Sequence, residues 1–577
     1  MSGEQPVVML VHSDPWKRLE LSRELETWYG GGLEIVAASD GEDARAALKR
    51  VKDSRQRLAI VVSADKLTDG DGSTFLGEVH DSFPDAELAL LSAKGKAAKD
   101  GISFVPEALV PFLKSIEELF FDWHPALPEV EVTGDATTER AYQLRRFLLL
   151  NGVLYRWDDQ KVADITVKVS GKTLVNPTLS RLSRELKLIP EARHRLDHPY
   201  DLVVVGGGPA GMSAAVNAAA IGLTVLVIEN EAPGGEAVTS INVIENYLGF
   251  PEGILGSRLA QSALHQTNRL MVDWQPTLTA GQLLIDEEME GPGHDGQRVK
   301  LNRYKIKVLE DKEYKGAVSA GMVLLAGGQR PNVQGGENEG SFRNRGVYYT
   351  VLPNDAPREK GKNVVIVGGG DSAGQAALLL DKHGAHVTMV IRKKLRDRMA
   401  GALADQICFT KSIAVLENSK VIKYVGAQGD EKRLAQVDIA DTGKKVLRAT
   451  VNATSVYVLI GGSPNTEWLD RIGFTQKKID KDKGGYIKTD VYLDAKKLER
   501  NPLSFETSLP GVFAAGDTRI GSLRRVGQAV GQGAAAVASM DSYLKKNAVK
   551  VLADQASPAW WHYRNMAYLW LGPTAEH

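Results

Sequence analysis

Along this chain, short unbroken apolar runs alternate with longer stretches whose apolar residues recur every three or four positions. Runs of the first kind suit strands buried on both faces, and stretches of the second kind suit the helices that cover them. Five such runs fall before residue 124: Val7–Val11, Leu33–Ala37, Leu58–Val62, Leu88–Leu91 and Ile102–Val105. Helical segments separate them, for example Gly41–Val51 with Ala44, Ala47 and Leu48 on one face. That order predicts a doubly wound parallel sheet. After a short linker, Pro125–Pro128, the pattern changes. Strand Glu129–Thr133 precedes helix Thr138–Asn151, whose apolar face holds Ala141, Leu144, Phe147 and Leu148. Strand Val153–Trp157 follows, then the hairpin Ile165–Val169 and Thr173–Val175, then helix Pro177–Leu188.

The sharpest signal is Asp201–Glu229, DLVVVGGGPAGMSAAVNAAAIGLTVLVIE. An apolar strand enters Gly206, Gly208 and Gly211, an Ala-rich helix opens at Pro209-Ala210, and a second strand ends on Glu229. In such a βαβ unit the first glycine permits a sharp turn, the second a close approach to pyrophosphate, the third tight helix–strand packing. Free N–H groups at the helix start face the phosphates. An acid about 20 residues on accepts the ribose hydroxyls. A second loop, Val364–Ala373 (VVIVGGGDSA), repeats the pattern with Gly368, Gly370, Asp371, Ser372 and Ala373. Its following strand, His386–Ile391, ends on Arg392 and Lys393 rather than on an acid. A basic cluster there accommodates a 2′-phosphate and favours NADPH over NADH.

Downstream, Leu509–Asp517 is an apolar strand closing on Gly516-Asp517, followed by a small-residue helix, Ala529–Met540. Leu324–Gly328, with Ala326 and Gly327, and Tyr457–Asn465 resemble the linker strands by which two-dinucleotide-domain flavoproteins pass between their domains. Gly234-Gly235-Glu236 and Ile244–Pro251, which includes Asn246, complete the set. In this order, from about residue 199 to 545, the motifs resemble the thioredoxin reductases. The resemblance implies FAD on Gly206, Gly208, Pro209, Ala210, Gly211, Glu229, Asn230, Gly235, Glu236, Asn246, Ala326, Gly327, Gly516, Asp517, Arg525 and Val526. It implies NADPH on Gly368, Gly370, Asp371, Ser372, Ala373, Arg392 and Lys393. It places Arg525 and Val526 at the start of a helix (Ser522–Gly533) whose positive end faces the flavin. Glu236 stands where that family usually has Gln.

That family's redox Cys-x-x-Cys lies just before the second glycine loop, where this chain reads Gly346–Asp355 without a cysteine. The one cysteine of the chain is Cys408, flanked by Ile407 and Phe409 and expected to be buried. A dithiol relay needs two thiols. No general acid or base stands out.

Residues 1–124 resemble a response-regulator receiver domain whose chemistry is incomplete. His12 and Ser13, then Asp14, occupy the place of the Mg²⁺-binding acidic pair. Asp65 stands near the phosphoacceptor position, Ser92 matches the hydroxyl, and Val105-Pro106 fill the lysine position. Residues 129–192 resemble a glutaredoxin-like domain with Asp135-Ala136-Thr137-Thr138 where its cysteines would open the helix. The whole is identified as a member of the fused response regulator/thioredoxin-disulfide reductase family. The expected fold class is α/β. A pseudo-receiver (1–124) and a cysteine-free glutaredoxin-like domain (129–192) precede an FAD domain (199–330 and 457–545), an NAD(P) domain (335–455) and an aromatic tail (546–577).

Length and charge fit this picture. The 577 residues suffice for three or four domains, and a net charge of −1 leaves no electrostatic footprint for nucleic acid or an anionic membrane. No signal peptide or spanning segment is legible, so a cytoplasmic location is expected, as is a homodimer by resemblance. The expected activity is FAD- and NADPH-dependent oxidoreduction with electrons leaving the flavin directly for a protein or small-molecule acceptor; no metal is expected. Two other readings stay open. One is a ferredoxin–NADP reductase-like electron transferase, favoured by Trp560-Trp561-His562-Tyr563 in the tail. The other is a flavin-based redox or nucleotide sensor with little turnover.

Overall fold

The computed structural model describes residues 6–546 apart from 30–32, 55, 92–101, 107–111, 113–114, 117–118, 120–129, 154, 170, 189–198, 240–243, 252, 293–297, 311–312, 444–445, 471–477 and 499. Ser92, the Pro125–Pro128 linker and the aromatic tail beyond residue 546 therefore lie outside the described residues.

The chain builds four principal sheets in sequence. Strands β1 (Val7–Val11), β2 (Glu34–Ala38), β3 (Leu58–Ala64), β4 (Glu87–Leu91) and β5 (Ile102–Val105) form a parallel sheet in the order β2-β1-β3-β4-β5. Helices α1 (Pro15–Tyr29), α2 (Gly41–Ser54) and α3 (Gly72–Ser82) connect them. Every residue of β1 and β3 is buried, because helices cover both faces of a parallel sheet. A two-strand hairpin, Lys66–Leu67 with Gly70–Asp71, interrupts the loop after β3.

The second sheet holds β6 (Glu131–Gly134), β7 (Arg156–Asp159), β8 (Thr166–Val169) and β9 (Lys172–Val175), ordered β9-β8-β6-β7. Helix α4 (Glu139–Leu150) connects β6 to its parallel neighbour β7, and α5 (Leu179–Glu185) follows the hairpin. Thr138 caps α4 by accepting from the Ala141 N–H at 3.1 Å. The strand expected at Val153–Trp157 begins instead at Arg156, because residues 151–153 complete the helix C-terminal turn.

The third sheet carries the first glycine loop: β10 (Tyr200–Val205), α6 (Pro209–Ala220), β11 (Val225–Glu229), then α7 (Gly256–Arg269) and β12 (Asp273–Pro276). An antiparallel meander of β13 (Thr279–Pro292), β14 (Arg298–Glu310) and β15 (Glu313–Leu325) returns so that β15 lies parallel to β10. The chain then leaves through β16 (Gln329–Pro331).

The fourth sheet is parallel, and from one edge to the other its strands are Val347–Tyr348, Ser455–Val458, Asn363–Val367, His386–Val390 and Ala414–Leu416. Its strands are β17 (Val347–Tyr348), β18 (Asn363–Val367), β19 (His386–Val390), β20 (Ala414–Leu416) and β24 (Ser455–Val458), with helices α8 (Asp371–Lys382) and α9 (Gly401–Phe409). Beside it β21 (Ser419–Ala427), β22 (Asp430–Asp441) and β23 (Leu447–Asn452) form an antiparallel sheet. Tyr457 and Val458 pair with Ile366 and Val367, so this unit extends past the expected boundary at 455. The chain returns through β25 (Gly462–Pro464), which pairs with β16 as a two-stranded ribbon.

Strand β26 (Val512–Ala514) then joins β15, and α10 (Val526–Lys546) packs on α6. The close approach has a cause: a Cβ on Gly533 would lie 2.2 Å from the Ala210 carbonyl oxygen. Helix α10 starts at Val526, not Ser522, and Arg525 is the residue whose carbonyl accepts from the Ala529 N–H. Among the described residues no helix is long and apolar enough to cross a membrane.

Candidate functional site

Two loops at the carboxyl ends of parallel strands share one construction. At the first, Gly206 has φ +109°, and a Cβ there would sit 2.3 Å from the Ala326 carbonyl oxygen. Gly211 touches the loop from the helix side, with 1.9 Å between its ideal Cβ and the Gly206 carbonyl oxygen. Gly208 differs. Its Cβ direction is open, the nearest atom being the Gly235 Cα at 4.0 Å. Gly206 and Gly211 are therefore glycine for packing, whereas Gly208 faces space that a ligand can enter.

Glu229 ends β11 as expected and is buried. Its Oε2 accepts from the Gly207 N–H at 2.7 Å and its Oε1 from the Glu231 N–H at 3.0 Å. Burial raises its pKa, and the N–H groups oppose that rise. Asn230 follows on the surface. Gly235 (φ +55°) closes against Gly208, and Gly516 (φ +74°) against Ala210. The Gly516 N–H donates to Gln532 Oε1 at 2.8 Å, a contact the motif reading missed. Asp517 accepts from Ser522 Oγ at 2.5 Å, and the Ala515 N–H donates to the Leu325 carbonyl at 3.1 Å beside Ala326. Gly327 lies against Asn465, and the loop holding Asn246 comes next to the start of α10 through Tyr247 and Gly527. Val526 begins that helix, and Arg525 is exposed. These contacts bring the loops of Gly235, Gly516 and Tyr247 to the N-termini of α6 and α10.

The second loop repeats the geometry. Gly368 has φ +149° with its ideal Cβ 2.2 Å from the Leu459 carbonyl oxygen, while Gly370 has nothing within 4 Å. Ala373 is fully buried, Ser372 is exposed, and Asp371 Oδ1 accepts from the Ala400 N–H at 2.8 Å. Arg392 and Lys393 are exposed just past the end of β19. Each loop pairs a helix N-terminus with one open glycine, which suits a pyrophosphate.

Residues 200–533 match the pyridine nucleotide-disulphide oxidoreductase family. The chain belongs to that family. It is 30% identical to the thioredoxin reductase of Bacillus subtilis over 348 residues, covering 60% of this chain and 95% of that protein. It is 31% identical to the thioredoxin reductase of Treponema pallidum over 349 residues, covering 60% of this chain and 98% of that one. Among solved structures, Lactococcus lactis thioredoxin reductase aligns at 25% identity and a TM-score of 0.48, over 60% of this chain and 99% of that one.

By family, then, this is a pyridine-nucleotide oxidoreductase, and the match contains both glycine loops while leaving the first two sheets outside it. The segment Gly346–Asp355 carries no thiol, and α4 packs on it: the Tyr142 and Tyr348 rings are 4.9 Å apart, and Arg145 Nε donates to Asp355 Oδ1 at 2.9 Å. Cys408 is exposed, contrary to expectation. It lies in the last turn of α9, a helix that buries Ala404 and Ile407 and leaves Phe409 also exposed. An apolar sequence neighbourhood does not bury a residue on the outer side of a helix.

The N-terminal acids serve the backbone. Asp14 accepts from the Trp16 and Lys17 N–H groups, bonds that hold its carboxyl below the usual range. Asp69 accepts from the Gly41 and Glu42 N–H groups, and Asp65 is exposed. Where cysteines would stand, Thr138 caps α4 and Asp135 accepts from the Thr137 N–H in the turn before it. Among the described residues no cluster of His, Cys, Asp or Glu could hold a metal.

Glu236 is exposed, with the Asp517 carboxylate and the Arg146 and Arg524 guanidinium groups within electrostatic reach. Crowding first, then the Asp517 carboxylate, push its pKa above the usual value, while Arg146 and Arg524 oppose this. Ionising it therefore costs the folded state. The cost is absent well below the ordinary carboxylate pKa and appears as pH rises through the raised one. Glu236→Gln is expected to leave the apoprotein melting temperature unchanged in acid and to raise it by about 1–2 °C above neutral pH. Melting curves across pH check this.

Proposed function

We propose that the chain is an FAD-dependent, NADPH-consuming oxidoreductase of the thioredoxin reductase type without the redox dithiol. Electrons would leave from the flavin directly to a protein or small-molecule acceptor. The observation that carries it is the pair of cradles, each with one open glycine at a helix N-terminus, in a chain whose dithiol segment has no cysteine and lies under α4. The residues fit the cofactors. Glu229 would take the adenosine ribose of FAD, the α6 N-terminus at Gly208–Ala210 the pyrophosphate, and Asp517 the ribityl chain. Gly370–Ala373 would take the pyrophosphate of NADPH, with Arg392 and Lys393 on the 2′-phosphate. When bound, FAD supplies the means to take up a hydride and return its electrons to an acceptor. The protein would hold the two nucleotides, and the positive end of α10, with Arg525 beside it, would stabilise negative charge developing on the flavin.

The first two sheets support the finer reading of a receiver-like and a glutaredoxin-like module. Their strand orders agree with those architectures, and their acids and threonines act as helix caps. The reading includes a cytoplasmic homodimer.

Anaerobic stopped-flow mixing with NADPH and with NADH tests the proposal. Rapid bleaching of the flavin band by NADPH, with slower bleaching by NADH, is the expected result. No bleaching by either, with dithionite still effective, would overturn it. In the same assay Arg392→Glu with Lys393→Glu is expected to raise the apparent Kd for NADPH by about ten- to a hundredfold, since charge-assisted bonds to the 2′-phosphate are lost. NADH should be affected far less.

A further inference from the structure

Helix α4 belongs to the second sheet, and its residues Glu139, Tyr142, Arg145 and Arg146 bond to two other units. Asn344 Nδ2 donates to Glu139 Oε1 at 3.4 Å, Tyr142 stacks on Tyr348, and Tyr348 in turn lies 5.4 Å from the Tyr457 ring. Arg145 bonds Asp355, both side chains being nearly inaccessible to solvent. Those partners all belong to the unit with the second glycine loop. The next residue, Arg146, donates from Nε to Glu231 Oε1 at 2.6 Å, two residues past β11 of the first nucleotide unit. Helix α1 of the N-terminal sheet does the same with other residues. Glu24 accepts from Lys382 on α8 at 2.6 Å, and Glu26 lies 3.7 Å from Arg258 on α7.

The covalent connection between the two nucleotide units is slight by comparison. The chain crosses once outward and once back, and β16 and β25 pair over only Gln329–Pro331 and Gly462–Pro464. A two-stranded ribbon is marginal on its own, and relative motion is the default for domains joined in this way. The geometry points to α4, braced by α1, as a clamp that fixes the orientation of the two nucleotide units relative to each other. While closed, the clamp also covers Gly346–Asp355 and denies that segment to an outside protein. This inference does not depend on which electrons the site transfers, and its test needs no turnover.

Nitroxide labels on Cys408 (exposed, on α9) and on Ile221→Cys (53% exposed, at the end of α6) report the orientation by pulsed electron paramagnetic resonance. With labelled chains diluted in a large excess of unlabelled protein, so that only label pairs within one chain contribute, the full chain is expected to give one narrow distance distribution. Glu26→Arg with Glu231→Arg sets like charges against Arg258 and Arg146, and should broaden that distribution by about twofold or add a second distance. Adding Arg258→Glu and Arg146→Glu restores opposite charges and should restore the narrow distribution. Glu26→Gln with Glu231→Gln, a milder pair, serves if the reversal fails to fold, and should broaden the distribution to a smaller degree. A broad distribution in the unmutated sequence, or a loosened variant as narrow as the parent, would overturn the clamp.

Discussion

Gly208→Val is expected to yield a folded but colourless protein. The Cβ direction at Gly208 meets no atom closer than 4.0 Å, so the added side chain leaves the strand, the turn and α6 undisturbed. The branched group instead occupies the space through which a pyrophosphate would approach the helix N-terminus. Loss of that approach should weaken FAD binding by about a hundredfold or more, roughly 3 kcal/mol. Two measurements check it together: the far-ultraviolet spectrum and melting temperature of the apoprotein, expected to match the parent, and FAD titration by flavin fluorescence. The neighbouring Gly206→Val should behave in the opposite way. Its φ of +109° and the Ala326 carbonyl oxygen 2.3 Å from the Cβ position leave no room for any side chain. That variant should fail to fold rather than fail to bind. If Gly208→Val kept its flavin, the first glycine loop would not be the FAD site.

The second large effect is expected at Arg145. Its guanidinium and the Asp355 carboxylate form an ion pair with side-chain exposures of 4% and 10%, and Nη1 also donates to the Ala136 carbonyl at 2.8 Å. Burial penalises the guanidinium, but Asp355 more than compensates and keeps it firmly protonated. Arg145→Ala removes the compensation and strands a buried carboxylate, which should cost about 3–5 kcal/mol. Replacing both partners, Arg145→Met with Asp355→Leu, removes the stranded charge and should recover most of that loss. Urea midpoints of the parent, both single variants and the double variant close the cycle. Near-additive losses would show that the two residues do not act as a pair.

Much of the chain was legible because its signals are local. The run Leu202–Val205 is buried on both faces and reads as a parallel strand, Gly206 and Gly211 make the turn and the close helix contact, and Glu229 ends the next strand. Strands β1 and β5 begin and end where the apolar runs do. Differences of three and four residues came at ends, as at Arg156 and Val526, where backbone hydrogen bonds in turns rather than hydrophobicity set the boundary. What separates Gly206 from Gly208 in role, close packing against open space, depends on the distant Ala326 and Gly235.

Cys408 shows the limit from the other side, since exposure depends on which face of α9 meets its neighbours and not on the adjacent Ile407 and Phe409. Gln532 reaches Gly516 across sixteen residues and carries no motif. Arg145 and Arg146 belong to no motif, yet they join partners 210 and 85 residues away. The sequence alone determined the elements, the two nucleotide loops and the missing thiols, because each rests on the conformational preferences and chemistry of residues close in the chain. Only the tertiary structure decided which charges are paired, which thiol is exposed and how the modules meet, because those depend on contacts between segments that local sequence does not relate.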